Sequence, residues 1–354
     1  MEKEEKPKTL RLSIIISLIL SISILIVILY FTLREGNLDE LKNVNLKYEF
    51  FFAALGINIL YYFAWGARLR ALSNAFDKKV RISLWESTKI IITNMFLANI
   101  TPSMAGGEPV RIYLLNKNGL STGSATAAVL AERLLDAIFL LICLPFAFII
   151  FRNNFQNDLL RNGLTIAVAL FIIVILAFAY SIKNPEKIKN FLIWINNKLS
   201  RFSKKTQSKK NIVTKINREV DNFHDSMVYL VTSGKVAFLK AFILTALFWM
   251  IGWLLPISIL LGLGLPPHIL ESSAAQILLI IIVMMPTTPG SAGITEGGTA
   301  ALYSVFIPGS FVGVFTILFR LFGYYIGLIL GAIFQYRIFK SISSFSMSMI
   351  KKKE

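Results

Sequence analysis

Residues 101–108 read TPSMAGGE and residues 288–296 read TPGSAGITE. Each phrase closes an apolar run and sets a Thr-Pro pair and small residues before a glutamate. Whether these phrases complete a crossing of a bilayer or turn back inside it decides the fold.

A bilayer is the setting because the 354-residue chain is 55% hydrophobic and 16% charged. Its mean hydropathy of +0.65 exceeds what a water-facing surface tolerates. Several apolar runs are longer than the roughly 18 residues a spanning helix needs. Residues 12–32, 48–66, 121–151, 162–181, 236–263 and 311–339 are read as six full spans. The first eleven residues precede the first span without a small-residue cleavage site, which predicts an uncleaved cytoplasmic tail. The single cysteine, Cys143, excludes an intramolecular disulfide, and neither histidine belongs to a metal-like cluster. No cofactor or metal is expected.

The two phrases follow the runs 82–100 and 270–286. The helical piece after the first, EPVRIYLL, would be roughly 12 Å long against a core of about 30 Å. It cannot cross alone, and the positive charge of the loops arbitrates between a broken crossing and a hairpin. Lys and Arg number four in the N-terminal tail, five in residues 67–81 (Arg68, Arg70, Lys78, Lys79, Arg81) and thirteen in residues 182–240. Loops 33–47, 152–161 and 264–269 hold three, two and none. Two re-entrant hairpins place every basic segment on one side; a broken crossing at the first phrase would export the thirteen-charge segment. The expectation is therefore a hairpin entering from the cytoplasm and a second entering from outside. Both termini are then cytoplasmic, in a multi-pass protein of the cell membrane. Residues 182–235 are expected to form one or two basic amphipathic helices on the inner leaflet, with Phe191 and Trp194 on their apolar stripe. Solvated loop and anionic-lipid contact both remain open. Nucleic-acid binding is not expected, because no aromatic-basic platform accompanies the charge.

The chain also repeats itself. Thr101, Pro102, Ala105 and Gly106 align with Thr288, Pro289, Ala292 and Gly293 at an offset of 187; Glu108 aligns with Glu296 at 188, Arg133 with Arg320 at 187 and Trp65 with Trp253 at 188. The predicted fold is all-α and polytopic: a single transmembrane domain over 12–340, with repeat 1 at 48–151, repeat 2 at 236–339, the basic insertion 182–235 and a basic tail 341–354. Because the copies start on opposite faces, they form an inverted repeat, an arrangement that places binding sites near the midplane. Irregular backbone at that depth must be buried in protein or line a wet cavity. The hairpin breakers Thr101, Pro102, Gly106 and Gly107 would then face Thr288, Pro289, Gly290 and Gly293 across a polar centre.

Pro109 after Glu108, and Thr295 before Glu296, read as starts of short half-helices whose positive ends favour an anion. Arg111 is a candidate phosphate contact. Glu132, Arg133 and Asp136 lie at helical spacing, so that Arg133 can meet Asp136 and Glu132 neighbours Asp136. Ionisable groups inside a membrane cost roughly 2.5–3.5 kcal/mol each even on the lenient scale, so they pair or face water. The repeat pairs Glu108 with Arg133 and Glu296 with Arg320. Pinning of each hairpin to its neighbouring span and direct handling of a substrate or proton are both open for these pairs. Trp65, Trp194, Trp249 and Trp253 read as interface anchors or packing, His224 and His268 as polar surface, and Gly323, Gly327 and Gly331 as a small-residue stripe that admits another helix. No Ser-His-Asp order and no Walker-type loop supports a hydrolase or an ATP-driven pump.

The segments ANITPSMAGGEPVRIYLL at 98–115, AAVLAERLLDAIFLL at 127–141 and MPTTPGSAGITEGGTAALY at 285–303 resemble the lysylphosphatidylglycerol synthase transmembrane region, a flippase-like membrane domain. The resemblance covers residues 10–340. It implies movement of aminoacylated phospholipid between leaflets, and similar domains are fused to archaeal glycosyltransferases. The chain ends fourteen residues after Lys340 without the soluble transferase-like domain, so lysyl transfer is not expected. The expected function is a lipid translocase acting on an anionic phospholipid or lipid-linked intermediate. The alternatives are a catalytic or accessory subunit of envelope lipid or glycolipid synthesis, with Asp136 beside Glu132 as general base, and a small-solute secondary transporter. A separate synthase or glycosyltransferase is a candidate partner.

Overall fold

The computed structural model describes residues 45–77, 80–99, 106–151, 183–200, 209–283 and 291–335, with a few isolated helical positions elsewhere. The expected spans 12–32 and 162–181, and the breakers Thr101, Pro102, Thr288, Pro289 and Gly290, lie outside these residues.

The described residues are helical throughout, without a strand. The helices are α1 (Tyr48–Phe76), α2 (Leu84–Asn99), α3 (Gly107–Lys117), α4 (Thr122–Phe151), α5 (Pro185–Ser200), α6 (Lys209–Val231), α7 (Lys235–Gly262), α8 (Ile269–Val283), α9 (Ile294–Tyr303) and α10 (Gly309–Arg320). After Arg320, α10 passes through a π-helical turn at Leu321–Tyr325 and continues to Gln335. Four of these, α1, α4, α7 and Gly309–Gln335, are long and apolar enough to cross a membrane. At about 1.5 Å per residue, α2 and α8 fall short of a full crossing, and α3 and α9 reach about half of one.

The succession of long helix, medium helix, short helix and long helix thus occurs twice, as α1–α4 and α7–α10. The two sets pack crosswise. The Lys47 N–H donates to the Gly262 carbonyl at 2.9 Å, Ser258 Oγ donates to the Phe50 carbonyl at 2.6 Å, and the Tyr61 ring stacks on Phe248 with centroids 4.4 Å apart. Early residues of α1 meet late residues of α7, so these helices run antiparallel. Helix α2 lies along the continuation of α10, where a Cβ on Gly331 would meet the Phe96 nitrogen at 2.5 Å and the Ile92 carbonyl at 3.0 Å. Gly327 approaches the Tyr62 hydroxyl. The glycine stripe is spent within the chain at these two positions, because lipid tails supply no hydrophobic drive between helices and close backbone approach must replace it. Helix α8 in turn packs along α4, with Ile280 against Ala137 and Leu140.

The basic insertion forms two amphipathic helices, as its pattern predicted. Helix α6 docks on the start of α4: Glu219 Oε2 accepts the Gly123 N–H at 2.7 Å, and Phe223, Met227 and Leu230 are buried. A carboxylate there complements the positive end of α4. Helix α5 rests on α6 through Lys189, whose hydrogen bonds to Asp221 and Glu186 raise its pKa. Phe191 and Trp194 stack on each other and stay exposed.

One sequence boundary moves. Helix α1 continues to Phe76 rather than stopping at residue 66, so Arg68 and Arg70 belong to a helix and not to a basic loop. Arg68 is buried and cannot serve as a topogenic loop charge. Helix continues here because Ala67, Leu69, Ala71 and Leu72 are good helix formers and Leu69 and Leu72 find apolar partners.

Candidate functional site

Helical spacing aligns Asn58, Tyr61, Tyr62, Trp65 and Arg68 along one face of α1. That face meets Glu132 and Asp136, four residues apart on α4. Arg68 Nε donates to Glu132 Oε1 at 3.0 Å and its Nη groups donate to Asp136, one of them at 3.4 Å. Glu132 Oε2 accepts from Arg111 Nη1, and Trp249 Nε1 donates to Asp136 Oδ1 at 2.9 Å. Arg68, Arg111, Glu132 and Asp136 are all buried. Two guanidinium groups against two carboxylates leave no uncompensated charge, which is the condition for keeping them out of water.

This arrangement corrects two expectations. Asp136 pairs with Arg68 and not with Arg133, because Arg133 turns to the adjacent face of α4. Arg111 is closed off beneath the cluster, with its guanidinium 5.5 Å over the Trp65 ring, and it does not line the cavity described below. Of the two readings of the tryptophans, packing holds for Trp65, Trp249 and Trp253, which pack on neighbouring rings and line that cavity; Trp194 remains exposed.

The two pairs suggested by the repeat both form. Arg133 Nε donates to Glu108 Oε1 at 2.8 Å, with side chains 36% and 28% exposed. Arg320 Nε donates to Glu296 Oε1 at 2.8 Å, with side chains 4% and 0% exposed. The glutamates sit in the first turns of α3 and α9, where a negative charge complements the helix dipole. Glu296 Oε2 also accepts the Gly293 N–H at 2.7 Å, the reach-back half of a capping box. Gly293 has φ +89°, which a side chain would oppose. In α3 the helix starts at Gly107, two residues before Pro109. Gly107 allows α3 to press on α2: a Cβ there would overlap the Asn94 amide oxygen and meet Ala98 Cβ at 2.9 Å.

Arg133, Asp136 and Arg320 line one cavity of about 250 Å³ between the two helix sets. Asn58, Asn94, Asn99, Gln276 and Thr295 add polar groups to its wall, and Tyr61, Tyr62, Trp249, Trp253 and Tyr324 add rings. Arg133 holds Glu108 through Nε alone, which leaves its two Nη groups as donors for an oxyanion. The Arg320 guanidinium lies 4.2 Å over Tyr324, at the π-helical turn. Tyr324 Oη donates to the Asn99 carbonyl at 2.9 Å and ties that turn to the end of α2. Asp136 accepts from Arg68 and Trp249 at once, so both of its oxygens are engaged by protein donors. Among the described residues, no group of three or more His, Cys, Asp or Glu is placed to hold a metal ion.

Arg68 and Trp249 were missed by sequence reasoning. Arg68 stands at the edge of a basic run and hydropathy assigns it to a loop; its signal was the seven-residue step from Tyr61, which puts it on the same helix face.

Over residues 14–331 the sequence matches the lysylphosphatidylglycerol synthase TM region. The chain belongs to that family. Among family relatives, a UPF0104 membrane protein of Archaeoglobus fulgidus is 31% identical over 331 residues, covering 92% of this chain and 97% of the relative. A UPF0104 membrane protein of Pyrococcus horikoshii is 24% identical over 324 residues, covering 89% and 94%. One from Methanocaldococcus jannaschii is 28% identical over 250 residues, covering 69% and 72%. No solved structure matches the chain.

Proposed function

We propose that this membrane protein is a lipid translocase that passes the phosphate-bearing headgroup of a phospholipid or lipid-linked intermediate through the cavity between its two helix sets. Arg133 carries the reading: a partly exposed guanidinium at the cavity wall, held by Glu108 through Nε, with two Nη groups that have no hydrogen-bond partner among the described residues. Burying a phosphate requires such charge-assisted donors. Arg320 on the same wall supplies the counterpart in the second set, and Glu108 and Glu296 are partners the arginines return to when no headgroup is present.

The antiparallel α1–α7 pair and the reciprocal packing of α2 on α10 and of α8 on α4 support an inverted repeat. In that reading α2–α3 and α8–α9 are re-entrant hairpins entering from opposite faces, within a single transmembrane domain of the cell membrane with cytoplasmic termini. Alternating access then amounts to rocking one set against the other about the cavity. The Arg68–Glu132–Arg111–Asp136 cluster, closed off from the cavity apart from Asp136, positions α1, α3 and α4.

Reconstitution into liposomes with a fluorescent phospholipid, followed by quenching from outside, tests this. Protein-containing vesicles exchange the probe between leaflets faster than empty ones, and Arg133→Gln abolishes the difference while the protein elutes as a folded species. Normal exchange by Arg133→Gln overturns the proposal.

A further inference from the structure

The amphipathic pair α5 and α6 stands apart from the cavity, and its place in the fold decides what its outer face meets. Helix α6 packs on the first turn of α4: Ser226 Oγ donates to Ser124 Oγ at 3.3 Å, and a Cβ on Gly123 would press on the Glu219 carbonyl at 2.2 Å. Helix α4 is long and apolar enough to cross a bilayer. Its first turn therefore stands at the level of one membrane surface, and α6 with it. Helix α5 rests on α6 through Lys189, which bonds Asp221 at 2.8 Å. Lys189 and the partly buried Ile193, four residues on, mark the side of α5 turned to α6.

The opposite side of α5 carries other chemistry. Lys187, Phe191 and Trp194 follow at steps of four and three residues, which is one face of a helix. Phe191 and Trp194 are 58% and 56% exposed, and their rings stack with centroids 6.1 Å apart. Lys187 is exposed, with its ammonium 4.8 Å over the exposed ring of Tyr180. Lys183, four residues earlier, is exposed as well. Glu186, the one acidic residue in the α5 sequence, is engaged by Lys189 at 2.7 Å. From 198 to 210 the sequence adds six Lys or Arg and no Asp or Glu.

Whatever covers this face must accept two aromatic rings and attract cations. Water solvates the lysines but gains nothing from the rings. A standard protein interface buries about 800 Å² per partner, more than a stripe of two rings and two lysines supplies. A lipid surface meets both demands, because aromatic rings settle at the headgroup boundary while basic side chains reach the phosphates.

We propose that the Lys183, Lys187, Phe191 and Trp194 face of α5 is a docking surface for the anionic lipid leaflet around the protein. Phe191 and Trp194 enter the headgroup boundary, and Lys183 and Lys187 pair with lipid phosphates. The Lys189–Asp221 contact ties the docked helix to α6 and so to the start of α4. This docking is independent of what the cavity carries.

The test uses the full chain at one copy per nanodisc, in phosphatidylcholine alone or mixed with phosphatidylglycerol. Trp194 is read as the fluorescence difference between the wild type and Trp194→Phe, a variant that keeps a ring on the face. Quenching by brominated acyl chains reports lipid contact; quenching by iodide reports water. In the mixed discs the Trp194 signal is expected to be quenched by bromine and shielded from iodide. Lys183→Glu combined with Lys187→Glu is expected to lower the ratio of docked to undocked helix about tenfold or more. Unchanged emission of the other tryptophans shows that this variant is folded. Iodide quenching in both lipids overturns the proposal in favour of a solvated face. Equal shielding in both lipids, or shielding that survives charge reversal, overturns recognition of anionic lipid. Shielding found only in discs with two copies assigns the face to a second copy of the chain and overturns the proposal likewise.

Discussion

Glu132 carries two guanidinium groups on one carboxylate, Arg68 on Oε1 and Arg111 on Oε2, with all three side chains at least 99% buried. Glu132→Gln removes the charge that compensates both, and breaking a buried pair in this way costs about 3–5 kcal/mol. A clear drop in thermal unfolding temperature in detergent is the expected outcome; an unchanged temperature would show that the cluster does not hold α1, α3 and α4 together. Glu108→Gln is the contrasting case. Its pair with Arg133 is partly solvated, and such pairs contribute about 0–1 kcal/mol. That variant is expected to unfold near the wild-type temperature while changing the rate of leaflet exchange, since Arg133 loses the group that holds it between headgroups. The magnitudes thus divide the charged residues into a buried set that fixes helices and an accessible pair able to act. The sequence exposed the Glu108–Arg133 and Glu296–Arg320 pairs because each occurs twice at nearly one separation. The Arg111–Glu132 pair lacked that signal: Arg111 aligns with residue 298, a glycine. Arg68 was hidden by its basic neighbours.

Among the helices, contact depends on backbone approach. A Cβ on Gly331 would press on the Phe96 nitrogen at 2.5 Å, whereas Gly56 in α1 has nothing within 4 Å of the added atom. Gly331→Ala must separate α10 from α2 and is expected to lower thermal stability. Gly56→Ala should be neutral or raise it by about 0.5–1 kcal/mol, as for any open helical glycine. Equal responses from the two variants would remove close packing as the explanation of the stripe. The stripe itself was visible as a four-residue period, but its partner was not, since periodicity names a face and not what covers it. The existence of α1, α4, α7 and α10 was legible in hydropathy. The end of α1 was not, because hydropathy reports the apolar run and helix persists beyond it wherever polar side chains find partners.

At the scale of the whole molecule, the two helix sets meet through an antiparallel α1–α7 seam and an exchange of medium helices, and between them lies the cavity lined by Arg133, Asp136 and Arg320. A path for headgroups must open to each face of the membrane in turn. Val283 lines the cavity from the end of α8 and is buried, and Cys143 is the chain's one cysteine. Val283→Cys in a Cys143→Ser background therefore places a single, nearly isosteric thiol in the proposed path. The measurement is its labelling by a membrane-impermeant maleimide in vesicles of each orientation. Labelling from both faces, slowed by phosphatidylglycerol, is the result the translocase account predicts; labelling from one face alone would contradict it.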